Sequence, residues 1–191
     1  MARDVVDLII QDHRDMQEMF AKLRNGGGDP LRVFQQMAAI LTAHSRAEES
    51  EVYPAIARAG DKDEVTHARE EHAEADELVA KLKRLDPESA EFLEVLGKLI
   101  EGVQHHIEEE ESTALPALRS GLGPDRLAEL ADRFLARRGE ELETGPSPRQ
   151  VGGSEMTRDK LYRRAAEHDI PGRSRMSKDE LMEAVKAAEG E

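Results

Sequence analysis

Cysteine and tryptophan are absent from this chain of 191 residues, and tyrosine occurs only twice. The missing thiols exclude disulfides, thiolate ligands and a cysteine nucleophile. Apolar runs are only a few residues long, and no positively charged segment leads into a hydrophobic stretch. A membrane span and a secretory leader are therefore not expected, and a soluble cytoplasmic protein is. Basic residues are in deficit, with 27 Lys and Arg against 41 Asp and Glu and a formal net charge of -14. That balance argues against broad affinity for nucleic-acid phosphates, which needs a concentrated basic surface. The excess of acid lies before residue 150, where 19 basic residues face 32 acidic ones.

What is present is helical periodicity interrupted by clear breakers. The first helix is expected over residues 3 to 24, ending at Gly26-Gly27-Gly28. The second starts after Asp29 with Pro30 at its first position and runs to about Arg58. Asp61 to Glu64 reads as a capping box for a third helix, which reaches about Leu85 before Asp86-Pro87; a fourth follows over residues 88 to 119. Pro54 and Pro116 fall late in the second and fourth helices, where each is expected to kink or end its helix. A shorter helix from Pro124 to Arg138, with Leu127, Leu130, Phe134 and Leu135, is expected across one end of the bundle. The expected fold class is all-α: a four-helix bundle over residues 1–140 with this short fifth helix. A Gly/Pro/Ser-rich linker over 141–154 and a small helical module over 155–191 complete the organisation.

Each long helix carries a histidine on its apolar stripe. The first has Val6, Ile9, His13, Met16, Phe20 and Leu23; the third has Val65, Ala68, His72, Ala75, Val79 and Leu82. The fourth has Phe92, Leu96, Leu99, Val103, His106 and Glu110, and the second, more loosely, has Met37, Leu41, His44, Glu48 and Val52. His44-Glu48 and His106-Glu110 are each separated by one helical turn, so both members of a pair reach one region. Counted from the connecting loops, all four histidines lie near mid-bundle. A lone histidine on such a face is most often a hydrogen-bonded core residue, and a single His-x-x-x-Glu pair is weak in so acidic a chain. Coincident phase in four helices is the stronger observation, and it points to a metal site of His13, His44, Glu48, His72, His106 and Glu110. His67 is out of phase and His168 lies in the tail, while His105 sits one step off the seam, so His106 is preferred.

A mixed imidazole and carboxylate set suits iron, manganese or zinc better than calcium or magnesium. Two glutamates in an apolar seam require a partner, because an unpaired buried carboxylate is costly. They could bridge two cations and leave open positions for dioxygen, peroxide or hydroxide. Ferritin-like di-iron bundles use a glutamate followed three residues later by histidine, a pattern absent around these four histidines.

The order His13, His44-x-x-x-Glu48-Glu49 to Tyr53-Pro54, His72, His106-x-x-x-Glu110-Glu111 to Leu115-Pro116 resembles the hemerythrin-like, or HHE cation-binding, family over residues 3 to 138. The resemblance implies an up-down-up-down four-helix bundle holding non-haem iron, two ions per chain rather than manganese or zinc, that binds dioxygen or reacts with peroxide or nitric oxide. A catalase- or peroxidase-like role in stress defence is one outcome, and a non-enzymatic oxygen-binding or iron-handling sensor is another. Oxygen-carrying hemerythrins use five histidines, one glutamate and one aspartate; four histidines and two glutamates here put simple oxygen storage in doubt. Tyr53, five residues beyond Glu48, is a candidate to approach the centre as phenolate or hydrogen-bond donor, with a packing role as the alternative.

The segment from Lys160-Leu161-Tyr162 through Asp169-Ile170-Pro171-Gly172-Arg173-Ser174 to Met176-Ser177-Lys178-Asp179-Glu180-Leu181 resembles the N-terminal module of the Rho termination factor, a SAP-like helix-extended-helix unit. That resemblance implies nucleic-acid contact through Arg163, Arg164, Arg173, Arg175 and Lys178, and with it a nucleic-acid-associated stress protein. Against it, eight Lys and Arg in the tail are balanced by nine Asp and Glu, and no aromatic stacking platform accompanies Tyr162. Protein contact by a small folded appendage is the competing expectation.

Overall fold

The structure is a computed structural model, and it describes residues 4–58, 62–145, 161, 164–165, 168, 170, 173 and 176–189. The chain divides into two compact units, Met1–Pro148 and Arg149–Glu191. Every regular element among the described residues is helical.

Helix α1 spans Val5–Asn25. The Asp4 side chain caps it by accepting from the Asp7 amide at 3.0 Å, and Gly26 ends it in the left-handed region at φ 68°. Helix α2 spans Pro30–Ala47, with the Asp29 carboxylate accepting from the amides of Leu31 and Arg32. Proline at the first position suits this start, since its missing N–H would have no intrahelical partner there. The rod then continues through a π-helical turn at Glu48–Val52 into α3, Tyr53–Arg58. The other half repeats the design: α4 at Lys62–Leu82, α5 at Ala90–Glu109, a π-helical turn at Glu110–Ala114, and α6 at Leu115–Gly121.

Neither internal proline ends its helix. In a regular α-helix the ring of Pro54 would clash with the carbonyl of Ser50, and that of Pro116 with Ser112. The chain instead widens in the turn before each proline: the Tyr53 amide donates to the Glu48 carbonyl and the Leu115 amide to the Glu110 carbonyl, one residue further back than in an α-helix. The widening starts at Glu48 and at Glu110, so each proline-bearing block reshapes the backbone where a buried carboxylate is displayed.

Two apolar clusters fill the first unit. One joins Val5, Val6 and Ile9 to Val52, Tyr53, Ala55, Ile56, Val65, Ala68, Leu115 and Leu118. The other joins Met16 and Phe20 to Phe34, Met37, Leu41, Val79, Leu82, Phe92, Leu96 and Leu99. His13, His44, His72 and His106 fall between the two in every helix, and all are buried. The centre is thus a polar layer between two hydrophobic ones.

Helix α7 differs from expectation in length and placement. It runs past Arg138 to Thr144, taking in the first residues of the stretch read as linker. It packs along α1 and α2 and against the first π-turn rather than merely over one end. Leu127, Leu130 and Phe134 are buried as expected, but Leu135 is 48% exposed. Its position beside Phe134 puts it on the outer side of a helix that meets its neighbours along a narrow stripe.

In the second unit, helix α8 covers Lys178–Glu189. Ser177 and Glu180 form the expected capping box: the Ser177 amide donates to the Glu180 carboxylate at 2.7 Å, and the Glu180 amide to Ser177 Oγ at 3.3 Å. Leu161, Ala165, Leu181 and Val185 form its small core. The capping box read at Asp61 lies outside the described residues, as does Tyr162.

Candidate metal centre

The π-turns and the helix phases bring the six residues singled out in the sequence to one place. His13, His44, Glu48 and Glu110 present donor atoms all within 4.8 Å of one another, and Glu48, His72 and His106 form a second such group. His44 Nε2 is 3.2 Å from Glu48 Oε2, and His13 Nε2 is 3.4 Å from Glu110 Oε2. Glu48 Oε2 also lies 3.5 Å from His72 Nε2, and Glu110 Oε2 lies 4.0 Å from His106 Nε2. Each glutamate therefore stands between a histidine of its own rod and one from the opposite side. Separations of ~3 to 3.5 Å are those of donor atoms sharing one ion with bonds near 2.1 Å.

The outward nitrogens are organised by carboxylates. His44 Nδ1 meets Asp12 at 3.2 Å, His13 Nδ1 meets Glu111 at 3.0 Å, His72 Nδ1 meets Glu49 at 3.0 Å, and His106 Nδ1 meets Glu71 at 2.8 Å. A proton on each Nδ1, donated to its carboxylate, leaves the Nε2 lone pair facing inward, the tautomer a metal requires. His72 Nε2 and His106 Nε2 then confront each other at 3.0 Å, an arrangement in which two lone pairs repel unless a cation or proton lies between them. Glu49 and Glu111 follow the inward glutamates, and Asp12 and Glu71 precede inward histidines. Of these, Glu49 and Glu111 stand within the two blocks that carry the family resemblance, whereas Asp12 and Glu71 lie outside them. Asp76, four residues beyond His72, pairs with Arg46 at 2.7 Å.

The donor set is that of a cation site on a structural criterion. His13 Nε2, His44 Nε2 and all four carboxylate oxygens of Glu48 and Glu110 are buried without a hydrogen-bond partner. Unsatisfied groups of this kind are rare and costly when nothing occupies the space between them. Electrostatics agree. Burial opposes a charged His44, yet the carboxylates of Glu48 and Asp12 outweigh it and raise its pKa to about 10. Burial and the neighbouring Glu110 push Glu48 up, whereas Glu110 falls to about 2 because His13, His106 and His44 overcome its desolvation. In the metal-free chain protons and charge pairs thus hold the layer together, and a cation would replace them.

Tyr53 is buried, stacks on His72 with ring centroids 5.6 Å apart, and places its hydroxyl 3.4 Å from His72 Nε2. Burial and the surrounding carboxylates, Glu48 foremost, drive its pKa well upward, so in the metal-free chain it is a neutral phenol. Phe134 of α7 packs edge-on against His44 at 5.8 Å, and Arg138 holds Asp12 at 2.6 Å. A recess on the α4–α5 side is lined by Tyr53, Ala68, Glu71, His106, Glu109 and Glu110. His106 is buried and His105 exposed, in agreement with the seam.

The five basic residues of the tail are not brought to one described site. Arg164 is exposed, and Arg173 donates to the Ile170 carbonyl at 3.1 Å. Arg163, Arg175 and the side chain of Lys178 lie outside the described residues. Among the described residues no helix is long and apolar enough to cross a membrane.

Comparison with known proteins agrees with this geometry. The chain is 29% identical over 136 residues to a protein of Nostoc sp. named a DNA nickase, covering 70% of this chain but 38% of that protein. It is 29% identical over 135 residues to an uncharacterized hemerythrin-like protein of Schizosaccharomyces pombe, covering 68% of this chain and 66% of the other. The chain thus spans less than two thirds of either relative. No solved structure matches it significantly. The profile of the hemerythrin HHE cation-binding domain matches residues 4–118, which include all six inward residues; the chain belongs to the hemerythrin HHE cation-binding family.

Proposed function

We propose that the first unit is a non-haem di-iron protein that binds or reacts with dioxygen, peroxide or nitric oxide in the cytoplasm. His13, His44, Glu48, His72, His106 and Glu110 would hold the two ions. The observation that carries this reading is the ring of inward, buried donor atoms without hydrogen-bond partners, each histidine oriented from behind by a carboxylate. The up-down-up-down order belongs to the same reading, supported by apolar clusters that join the start of α1 to the ends of both proline-bearing rods. Bound iron would supply reversible ligand capture or electron transfer to an O–O or N–O bond. The protein does the rest. Phe134 and Arg138 cover the α1–α2 side, while the recess beside His106, with room for a water-sized group, would be the approach for a small ligand. Tyr53 keeps its proton at Oη and can donate it to a ligand near His72.

The test is metal content and the ultraviolet-visible spectrum of protein purified in air without added metal, before and after hydrogen peroxide. About two irons per chain, with charge-transfer bands that respond to peroxide, is the expected result. Sustained oxygen evolution would make the protein an enzyme, and a saturable spectral change without turnover would make it a sensor or carrier. A single zinc, or no metal with an inert spectrum, overturns the reading.

A second reading, cleavage of a DNA phosphodiester, is favoured by the similarity to the protein named a DNA nickase. Two-metal His/carboxylate sites are suited to that chemistry, and the basic residues of the tail would supply phosphate contact. The net charge of -14 weighs against it. Incubation of metal-loaded protein with supercoiled plasmid separates the two: nicking lost in Glu48→Ala and Glu110→Ala variants would move the assignment to a nuclease.

A further inference from the structure

Outside the buried layer, α4 and α5 bring a third group of donor atoms together at the surface. His67 Nε2 lies 3.6 Å from Glu71 Oε1 and 3.3 Å from Glu109 Oε2, and the three donor atoms fall within 4.8 Å of one another. Helix geometry alone accounts for His67–Glu71 and for the neighbouring His105–Glu109 contact at 3.4 Å, since each pair is one turn apart. It does not account for His67–Glu109, which crosses from one helix to the other and adds the third ligand. The two distances to His67 match the edge of a tetrahedron with metal–ligand bonds near 2.1 Å.

A second observation ties this group to the interior. Glu71 uses its other oxygen, Oε2, to hold His106 Nδ1 at 2.8 Å, so one carboxylate faces the outer group and orients a buried imidazole. The recess that opens beside it is lined by Glu71 and Glu109 of the outer group together with His106 and Glu110 of the inner one. Both Glu110 oxygens are buried and lack hydrogen-bond partners. On the opposite side of the centre Phe134 packs on His44 and Arg138 covers Asp12.

We propose that His67, Glu71 and Glu109 form an outer site for a divalent transition-metal cation, zinc or ferrous iron, which captures the ion at the surface and passes it along Glu71 toward His106 and Glu110. The site itself stands on its own donor atoms; the loading role rests on the reading of the buried layer as a metal centre. Its acidic surroundings raise the local cation concentration, and neutral imidazole selects a transition metal over calcium or magnesium.

The experiment compares the full-length protein with the His67→Ala/Glu109→Gln double variant and with His67→Asn alone. None of these changes touches the six inward residues. First, Zn2+ is titrated into protein whose buried centre is already saturated. The wild type is expected to take up one more Zn2+ per chain than either variant; equal stoichiometry overturns the site. Second, Fe2+ uptake by metal-free protein is followed anaerobically. The variants are expected to load about tenfold more slowly and to reach the same final content; equal rates overturn the loading role. If the buried layer takes up no iron in any of the proteins, the di-iron reading falls and the loading role with it, while the difference in Zn2+ stoichiometry still decides the outer site.

Discussion

The α1–α2 half of the centre and the α4–α5 half are built on one plan and finished differently. Asp12, His13, His44, Glu48 and Glu49 on one side correspond to Glu71, His72, His106, Glu110 and Glu111 on the other. In both halves the acid before the first histidine holds the second histidine of the same half. In both, the acid after the inward glutamate reaches across to the first histidine of the opposite half. Beyond this shared ring the halves part. Helix α7 seals the first with Phe134 and Arg138, whereas the second meets the recess, Tyr53 and the surface histidines. Equivalent inward donors set in unequal surroundings make one side a structural wall and the other the side of exchange.

The strongest challenge to the shared plan is to remove its shared elements. Glu48→Ala and Glu110→Ala should each abolish metal retention at both positions, since each carboxylate faces histidines of both halves. The metal-free chain should lose stability as well: deleting one carboxylate leaves the charge of its buried histidine partners uncompensated, and Tm should fall. Thermal melts with and without metal, alongside elemental analysis, check both parts. Retention of one full metal equivalent in either variant would show that the halves are independent sites.

Next in size is the contrast between Asp12→Asn and Glu71→Gln, which weaken equivalent supports behind His44 and His106. Loss of such a carboxylate typically reduces metal affinity ~10- to 100-fold. Asp12→Asn should also release Arg138 and loosen α7, so it should lower Tm further than Glu71→Gln does. Competition with a chelator and melts of the metal-free proteins measure the two effects separately. Equal loss of Tm would mean that the seal contributes nothing beyond the shared plan.

The stripes of the four long helices were legible because periodicity and burial coincide: every residue named on the stripes from Val65 to Leu82 and from Phe92 to Glu110 is buried. The inward six were legible for the same reason. The outward ring was not, because Asp12, Glu49, Glu71 and Glu111 sit next to stripe positions, where an acid in this chain looks like any solvated charge. The repeated Glu-Glu-Ser before each proline was the available signal, and its meaning depends on the π-turn, which periodicity at 3.6 residues cannot register. Helix α7 was misplaced because its stripe fits an end cap or a lateral seal equally well. His67 is out of phase with its stripe and His105 one step off the seam; Glu109 lies one turn from His105 by helix geometry, and the approach of α4 to α5 brings His67 to it as well.

A smaller effect follows from the protons that stand in for metal. Burial works against a charged His44, but Glu48 and Asp12 raise it from 6.5 to about 10. Its contribution to folding is therefore fully present below about pH 6.5 and is lost as pH climbs toward 10. Glu48, also raised, acts in the same direction. Glu110 is lowered from 4.5 to about 2, so its contribution is present above about pH 4.5 and lost as pH falls toward 2. Metal-free protein should be most stable between about pH 4.5 and 6.5 and should lose several degrees of Tm by about pH 9. Metal-loaded protein should not show the alkaline loss, because a ligated nitrogen carries no such proton. Parallel alkaline slopes for the two forms would break this account.

The finest difference between the halves is a single hydroxyl. Tyr53 and Leu115 occupy matching places, each directly before the proline of its block, yet only Tyr53 carries a polar group to the centre. Tyr53→Phe preserves the ring stacked on His72 and removes the donor, so metal content should be unchanged and Tm should shift by no more than ~1 kcal/mol of stability would produce. Affinity for nitric oxide or peroxide should fall about fivefold, the equivalent of one hydrogen bond of ~1 kcal/mol. Tyr53→Leu, which copies the other half, should lose the same affinity and also destabilise the fold, because the aromatic packing goes with it. If Tyr53→Phe binds both ligands as the wild type does, the tyrosine serves packing alone, and the exchange side differs from the sealed side only in the recess that reaches it.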